Sequence, residues 1–168
     1  MKPIGTSKNG VRVMYDPIRS HAATHLEDTP QLASLVAEVV GAMDLTGQEL
    51  ARHIDLGRVV GTSDVVEVDD TDDIVYAVRK NREDDGLVPF TKTRKAQEST
   101  YVSVHLIPQK DGSYVLSSAW IGTFDDDDEP FPQSADATKS SVAYWNHWAF
   151  VWGSQEVVSG TATTVRPW

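Results

Sequence analysis

The stretch TYVSVHLIPQKDGSYVLSSAWIG, residues 100–122, decides the fold. Residues 100–107 alternate β-branched and polar side chains and predict a strand, and residues 114–121 read as the returning strand. Between them, Lys110-Asp111-Gly112-Ser113 carries the Asp-Gly signal of a two-residue type I′ hairpin turn, where glycine accepts positive φ without a steric cost. With Asp111 and Gly112 as the turn, Lys110 faces Ser113, Ile107 faces Leu116, His105 faces Ser118, Ser103 faces Trp120 and Tyr101 faces Gly122. Opposed residues share a face of the sheet. One face then carries Tyr101, Ser103, His105, Ser118 and Trp120, and the other carries Val102, Val104, Leu106, Ser117, Ala119 and Ile121. The second is apolar enough to be the core face, and the first is a polar platform bearing a histidine. A slip of one residue would exchange the two.

Upstream, residues 65–68 read as a short strand and residues 74–79 as a stronger one, with Tyr76 and Val78 on one face. Residues 87–93 predict another strand, which Pro89 assigns to a sheet edge. A helix is signalled from Pro30 or Gln31 to Met43, with Thr29 as cap and Leu32, Leu35, Val36, Val39, Val40 and Met43 as its apolar stripe. Thr46-Gly-Gln-Glu49 fits a capping box, which predicts a second short helix running to Ile54. Leu56-Gly-Arg-Val-Val-Gly61 is a glycine-bearing loop that lacks phosphate-loop and dinucleotide spacing. Residues 1–29 read as partly irregular, apart from a short strand at 11–15. Downstream, the linker TFDDDDEPFPQSADAT, residues 123–138, precedes a predicted helix over 140–152 with a stripe of Val142, Trp145, Ala149 and Trp152, and residues 154–165 suggest a last strand. The expected architecture is α+β, a single domain over residues 1–168. It has an antiparallel sheet of four to five strands packed against an N-terminal helix and a C-terminal Trp-rich helix.

The absence of cysteine among the 168 residues excludes a disulfide framework, a thiol nucleophile and cysteine-ligated metal. No hydrophobic run approaches the ~20 residues that cross a bilayer, and MKPIGTSKNG lacks the apolar core of a signal peptide. The expectation is a cytoplasmic protein with no membrane partner. The formal charge of −10 opposes nucleic acid overall, but residues 79–95 hold six bases against three acids, a local positive segment. Asp64–Asp73 and Asp125–Glu129 hold six and five acids and read as solvated faces. The aspartate run lacks the spaced ligands and glycine of a calcium loop. His21 and His25, four apart, could share a ligand on one helical turn, but no third ligand is evident. No metal or cofactor is called for.

With thiols absent, a histidine is the natural proton-transfer group near neutral pH. The chain offers His21, His25, His53, His105 and His147, of which His105 sits mid-strand on the polar face. Arg79, Arg82, Lys92 and Arg94 border the strands before the hairpin, and Arg58 lies in the glycine loop. Arginine clamps phosphate bidentately and lysine supplies a point charge. Tyr76, Tyr101 and Trp120 could stack on bases, and the Ser117 and Ser118 hydroxyls could hold phosphate oxygens. That set matches RNA cleavage, in which one group deprotonates the 2′-hydroxyl, another protonates the leaving 5′-oxygen and a cation offsets phosphate charge. The plainer reading is a solvated hairpin whose Lys and Arg guard its edges.

The runs DLGRVVGTSD, IVYAVRKNR, PFTKTR, STYVSVHL and DGSYVLSSAWIG, over about residues 53–122, with a weaker tail at YWNHWAFVWG, resemble the barnase–EndoU–colicin–RelE-like ribonuclease superfamily. The resemblance implies helices on a four- or five-stranded antiparallel sheet. It also implies metal-independent RNA cleavage, a toxin-like role, and a neutralising immunity or antitoxin protein as partner. It points to His53 as general base or acid, to Arg79 and Lys92 or Arg94 as phosphate contacts, and to Ser117 or Ser118 as the hydroxyl member. The alternative is a non-enzymatic acidic interaction module on the same scaffold, either a neutralising partner or a phage or mobile-element accessory protein, whose charge occupies a basic partner.

Overall fold

In a computed structural model, describing residues 1–123 and 135–168, the hairpin is the centre of a five-stranded sheet. In chain order the elements are β1 (Lys2–Thr6), β2 (Arg12–Tyr15), α1 (His21–Asp28), α2 (Leu32–Ala42), β3 (Leu50–Asp55), β4 (Gly61–Ser63), β5 (Val65–Glu67) and β6 (Ile74–Val78). A single 3-10 turn follows, and then β7 (Leu87–Thr91), β8 (Gln97–Ser99), β9 (Tyr101–Pro108), β10 (Tyr114–Ile121), α3 (Ala135–Trp145) and β11 (Trp148–Val151). The chain divides into two compact units, Met1–Gly61 with Glu98–Thr123, and Thr62–Gln97 with Phe124–Trp168. The fold is mixed α and β, as the sequence leads one to expect.

The first unit holds the sheet β1-β2-β10-β9-β3. It is not wholly antiparallel, because β2 runs parallel to β10 at Tyr114 and Val115, a pairing that the long intervening chain permits. α1 packs against β10, and α2 packs against β1, β9 and β10. The apolar stripe Leu32, Leu35, Val36, Val39 and Val40 of α2 meets Val102, Val104, Leu106, Leu116 and Ala119 in one core. Burial of each such large side chain contributes about 1.5–3 kcal/mol. Residues 1–29 are more regular than expected, supplying two strands and a helix. Ser20 caps α1 by accepting from the Ala23 N–H.

The hairpin turn differs from the expected two-residue form. Gln109 N–H donates to Ser113 O (2.8 Å), and Gly112, at φ +82°, takes the left-handed position of a three-residue loop. Pro108 therefore faces Tyr114 and Ile107 faces Val115, one residue from the expected register. A bulge between Leu116 and Ser118 restores it, so His105 faces Ser118 and Ser103 faces Trp120 as expected. Leu116, now opposite Leu106, joins the core, and Ser117 is the bulged residue rather than a core-face one.

The expected helix from the Thr46 box does not form, and Leu50–Asp55 is the edge strand β3. The buried Tyr114 hydroxyl accepts from Gly47 N–H (2.8 Å) and donates to Gln48 O (2.9 Å). Gly47 sits at φ +85°. Those bonds hold the backbone in a turn, and Leu50 and Ile54 then pair with Leu106 and Val102.

The second unit holds the sheet β5-β11-β7-β6, and β4 pairs with β8 in a separate two-stranded ladder. The strands of residues 65–68, 74–79 and 87–93 thus do not extend the hairpin sheet. β7 is interior rather than an edge: its parallel pairing with β11 begins at Phe90, beyond Pro89, whose missing N–H interrupts nothing there. The C-terminal helix starts earlier than expected and stops at Trp145, short of the predicted end at Trp152. Trp148, Ala149 and Phe150 instead pair with Glu67, Val66 and Val65, where an aromatic and β-branched ladder outweighs helical spacing. Trp145, Phe150, Phe90, Val88 and Ala77 form this unit's main core. The last segment contributes only bridges, Tyr76 with Thr163 and Arg79 with Val157. The aspartate run 125–129 lies outside the described residues.

Candidate functional site

The polar face of the first unit's sheet gathers most of the expected proton-transfer and stacking residues. β3 pairs with β9 so that His53 faces Ser103, Ala51 faces His105 and Asp55 faces Tyr101. β10 completes the rows with Trp120 opposite Ser103 and Ser118 opposite His105. His53, Ser103 and Trp120 thus form one cross-strand row, and His105 and Ser118 belong to the next. His53 and His105 are diagonal neighbours on adjacent strands, for which the separation is roughly 7–8 Å.

Each imidazole has a distinct partner. His53 Nδ1 is 2.6 Å from Ser103 Oγ, and that hydroxyl donates to Gly122 O at 2.5 Å. His105 Nε2 is 2.7 Å from Glu49 Oε1, a carboxylate that accepts and so places a proton on Nε2. His53 is exposed, His105 half-buried, and the Ser103 and Ser118 residues opposite them on the neighbouring strands are buried. Tyr101 is exposed at the end of the face, and the Trp120 Nε1 is buried with no acceptor among the described residues. Ser118 Oγ lies 3.2 Å from His21 Nδ1, and the His21 ring meets His25 edge-on at 4.5 Å. Among the described residues, no group of three or more histidines and carboxylates is placed to hold a metal ion.

The expected phosphate contacts are engaged elsewhere. Arg58 makes a two-pronged contact with Glu38 of α2, at 2.9 and 2.6 Å. Arg79, Arg82, Lys92, Arg94 and Tyr76 all belong to the second unit. Arg79 is 5% exposed, with its guanidinium 2.6 Å from Asp85 and stacked over the Phe150 ring at 4.8 Å. Arg82 shares the same Asp85 oxygen at 3.0 Å. Arg94 bridges Asp72 (2.7 Å) and Asp69 (3.1 Å). The Arg94 guanidinium, then the Thr93 hydroxyl and the Asp69 N–H, hold the Asp72 carboxyl well below the usual carboxylate range. Lys92 lies over the Trp152 ring at 5.1 Å. Tyr76 is buried, its hydroxyl accepting from Arg166 Nε at 3.2 Å, so its ring packs in the fold.

Two residues of the site carry no functional signal in the sequence. Ser103 lies on the legible polar face, but its contact with His53 depends on the register of β3 against β9, 50 residues apart. Glu49 is hidden inside an apparent capping box. No helix among the described residues is long and apolar enough to cross a membrane. Compared with known proteins, the chain matches no family model, no curated protein and no solved structure.

Proposed function

We propose that this chain is a metal-independent endoribonuclease whose acid–base pair is His53 and His105. The observation that carries the reading is their co-facial placement on β3 and β9, beside Trp120 and Tyr101. His53 takes the proton of a ribose 2′-hydroxyl. The freed oxygen attacks the adjacent phosphorus, the P–O5′ bond breaks, and His105 returns a proton to the departing 5′-oxygen. The products are a 2′,3′-cyclic phosphate and a 5′-hydroxyl. Glu49 orients His105 by accepting from its Nε2, and the exposed ring of Tyr101 offers a base a stacking surface. Because Arg58, Arg79, Arg82 and Arg94 are engaged with carboxylates, the imidazolium carries the charge stabilisation at phosphorus in this scheme. The superfamily resemblance, with its toxin-like role and neutralising partner, belongs to the same proposal. The test is incubation of end-labelled RNA with the protein in EDTA, reading for cyclic-phosphate ends.

A second reading rests on a separate observation: the arginines of residues 79–95 are neutralised internally, on a chain of net charge −10. That favours an acidic module that binds a basic protein without catalysis. Protein that is well folded yet leaves RNA intact at any concentration would support it.

A further inference from the structure

We propose that a cationic groove at the turn end of the polar face, between Arg12 and Lys110, takes a phosphate of the RNA strand other than the one that is cut. The choice of RNA rests on the ribonuclease reading, but binding in the groove is measurable without cleavage.

Strand pairing puts the groove on the histidine face. Val115 pairs with Ile107 on one side and with Met14 on the other. Ile107 lies two residues from His105 on β9, so the two share a face. The adjacent pair, Tyr114 and Val13, points into the core, which turns Val115 and Met14 to the opposite side. Arg12 and Ser113, each two residues earlier, continue that side toward the turn. Lys110 and Asp111 close its end, and the whole is a surface groove of about 580 Å³. Gln109, whose N–H donates to Ser113 O, lies four residues past His105, on the order of 13 Å of strand. A phosphate at His105 is thus out of the groove's reach, while a neighbouring stretch of the same strand is within it.

The charges of the groove differ from those elsewhere on the chain. Arg58, Arg79, Arg82 and Arg94 each sit on a carboxylate, whereas Arg12 and Lys110 are exposed and enter no ion pair among the described residues. The acid of the groove is Asp111, whose Oδ1 accepts from the Ser113 hydroxyl (2.6 Å) and N–H (3.0 Å). Those two bonds, and more weakly the charge of Arg12, hold its carboxyl below the usual carboxylate range. Two cations therefore face one acid already committed to the turn, on a chain of net charge −10. An arginine fork and a lysine point charge both suit a phosphodiester. The half-buried Met14 and Val115 add an apolar floor on which the attached base can lie, a feature that a purely ionic ligand would leave unused.

The test is fluorescence anisotropy of the full chain with a labelled 2′-O-methyl oligoribonucleotide, which has no 2′-hydroxyl and is not cut. The double variant Arg12→Ala with Lys110→Ala should weaken binding at least fivefold and lower the slope of log Kd against log salt by about one. Asp111→Asn, which keeps a side-chain oxygen for Ser113, should tighten binding at least twofold. A folded parent that does not bind, or a double variant with the parent's Kd and salt slope, would overturn the proposal. So would inorganic polyphosphate that displaces the probe as well as unlabelled RNA does, since the groove would then read charge alone. In cleavage, the double variant should raise KM for an oligoribonucleotide with kcat unchanged. It should leave a dinucleoside monophosphate unaffected, because the one phosphate of that substrate is the one cut. Cleavage with both KM values unchanged would refute the groove alone. Binding that depends on Arg12 and Lys110 in a protein that leaves RNA intact would refute the ribonuclease reading alone.

Discussion

His105 and Ser118 stand opposite each other on β9 and β10 because two irregularities of one residue each cancel. The three-residue turn shifts the hairpin by one position, and the bulge between Leu116 and Ser118 shifts it back. The shifted part faces Leu116 into the core, and the restored part keeps Ser103, His105 and Trp120 on the polar face. Without the bulge, every side chain of one strand beyond it would change faces.

The turn makes this arrangement testable. Gly112 sits at φ +82°, and a Cβ there would meet no atom within 4 Å, so the strain of any larger residue is purely of the backbone. Gly112→Val should lower stability by roughly 1–2 kcal/mol. Urea unfolding should show a lower midpoint with an unchanged slope.

Tyr114 joins the hairpin to the segment that would otherwise begin a helix. Its hydroxyl serves both Gly47 N–H and Gln48 O, and the residue is 1% exposed. Tyr114→Phe keeps the packing and orphans both backbone groups, so it should cost about 1–3 kcal/mol in unfolding free energy. It should also loosen Glu49, which directly follows Gln48, and NMR would report this as a weaker contact at His105.

Asp72 makes the second unit sensitive to acid. Arg94, Thr93 and the Asp69 N–H favour its carboxylate, so its pKa is depressed in the folded state. A depressed acid contributes stability in full above its unfolded value of about 4 and loses it as the pH falls below that value toward the folded one. Asp72→Asn should flatten the fall in melting temperature below about pH 4 and lower it at neutral pH. An unchanged acid limb would show that Asp72 is not the responsible group.

The core face of the hairpin is legible in the sequence because alternation alone separates Val102, Val104 and Leu106 from Ser103 and His105. α2 is legible for the same reason at helical period. The register at the turn is not, since Lys-Asp-Gly-Ser fits both a two- and a three-residue loop and the choice rests on hydrogen bonds. Local signals at Thr46–Glu49 are overridden by Tyr114, 67 residues from Gly47. Helical spacing around Trp145–Trp152 loses to cross-strand pairing with β5. The site divides likewise. His105, Ser118, Trp120 and Tyr101 come from one hairpin and are found together. The positive charge of residues 79–95 is visible, but the partners of Arg94, Asp69 and Asp72, are 25 and 22 residues away from it.

The acid–base assignment is tested most directly by the rate of RNA cleavage in EDTA by the parent, His53→Ala and His105→Ala proteins, each shown to be folded. The parent should give cyclic-phosphate products with a bell-shaped dependence on pH, and either variant should lose about 10²–10⁴-fold in rate. Intact RNA with the folded parent, or undiminished cleavage by both variants, would contradict the assignment.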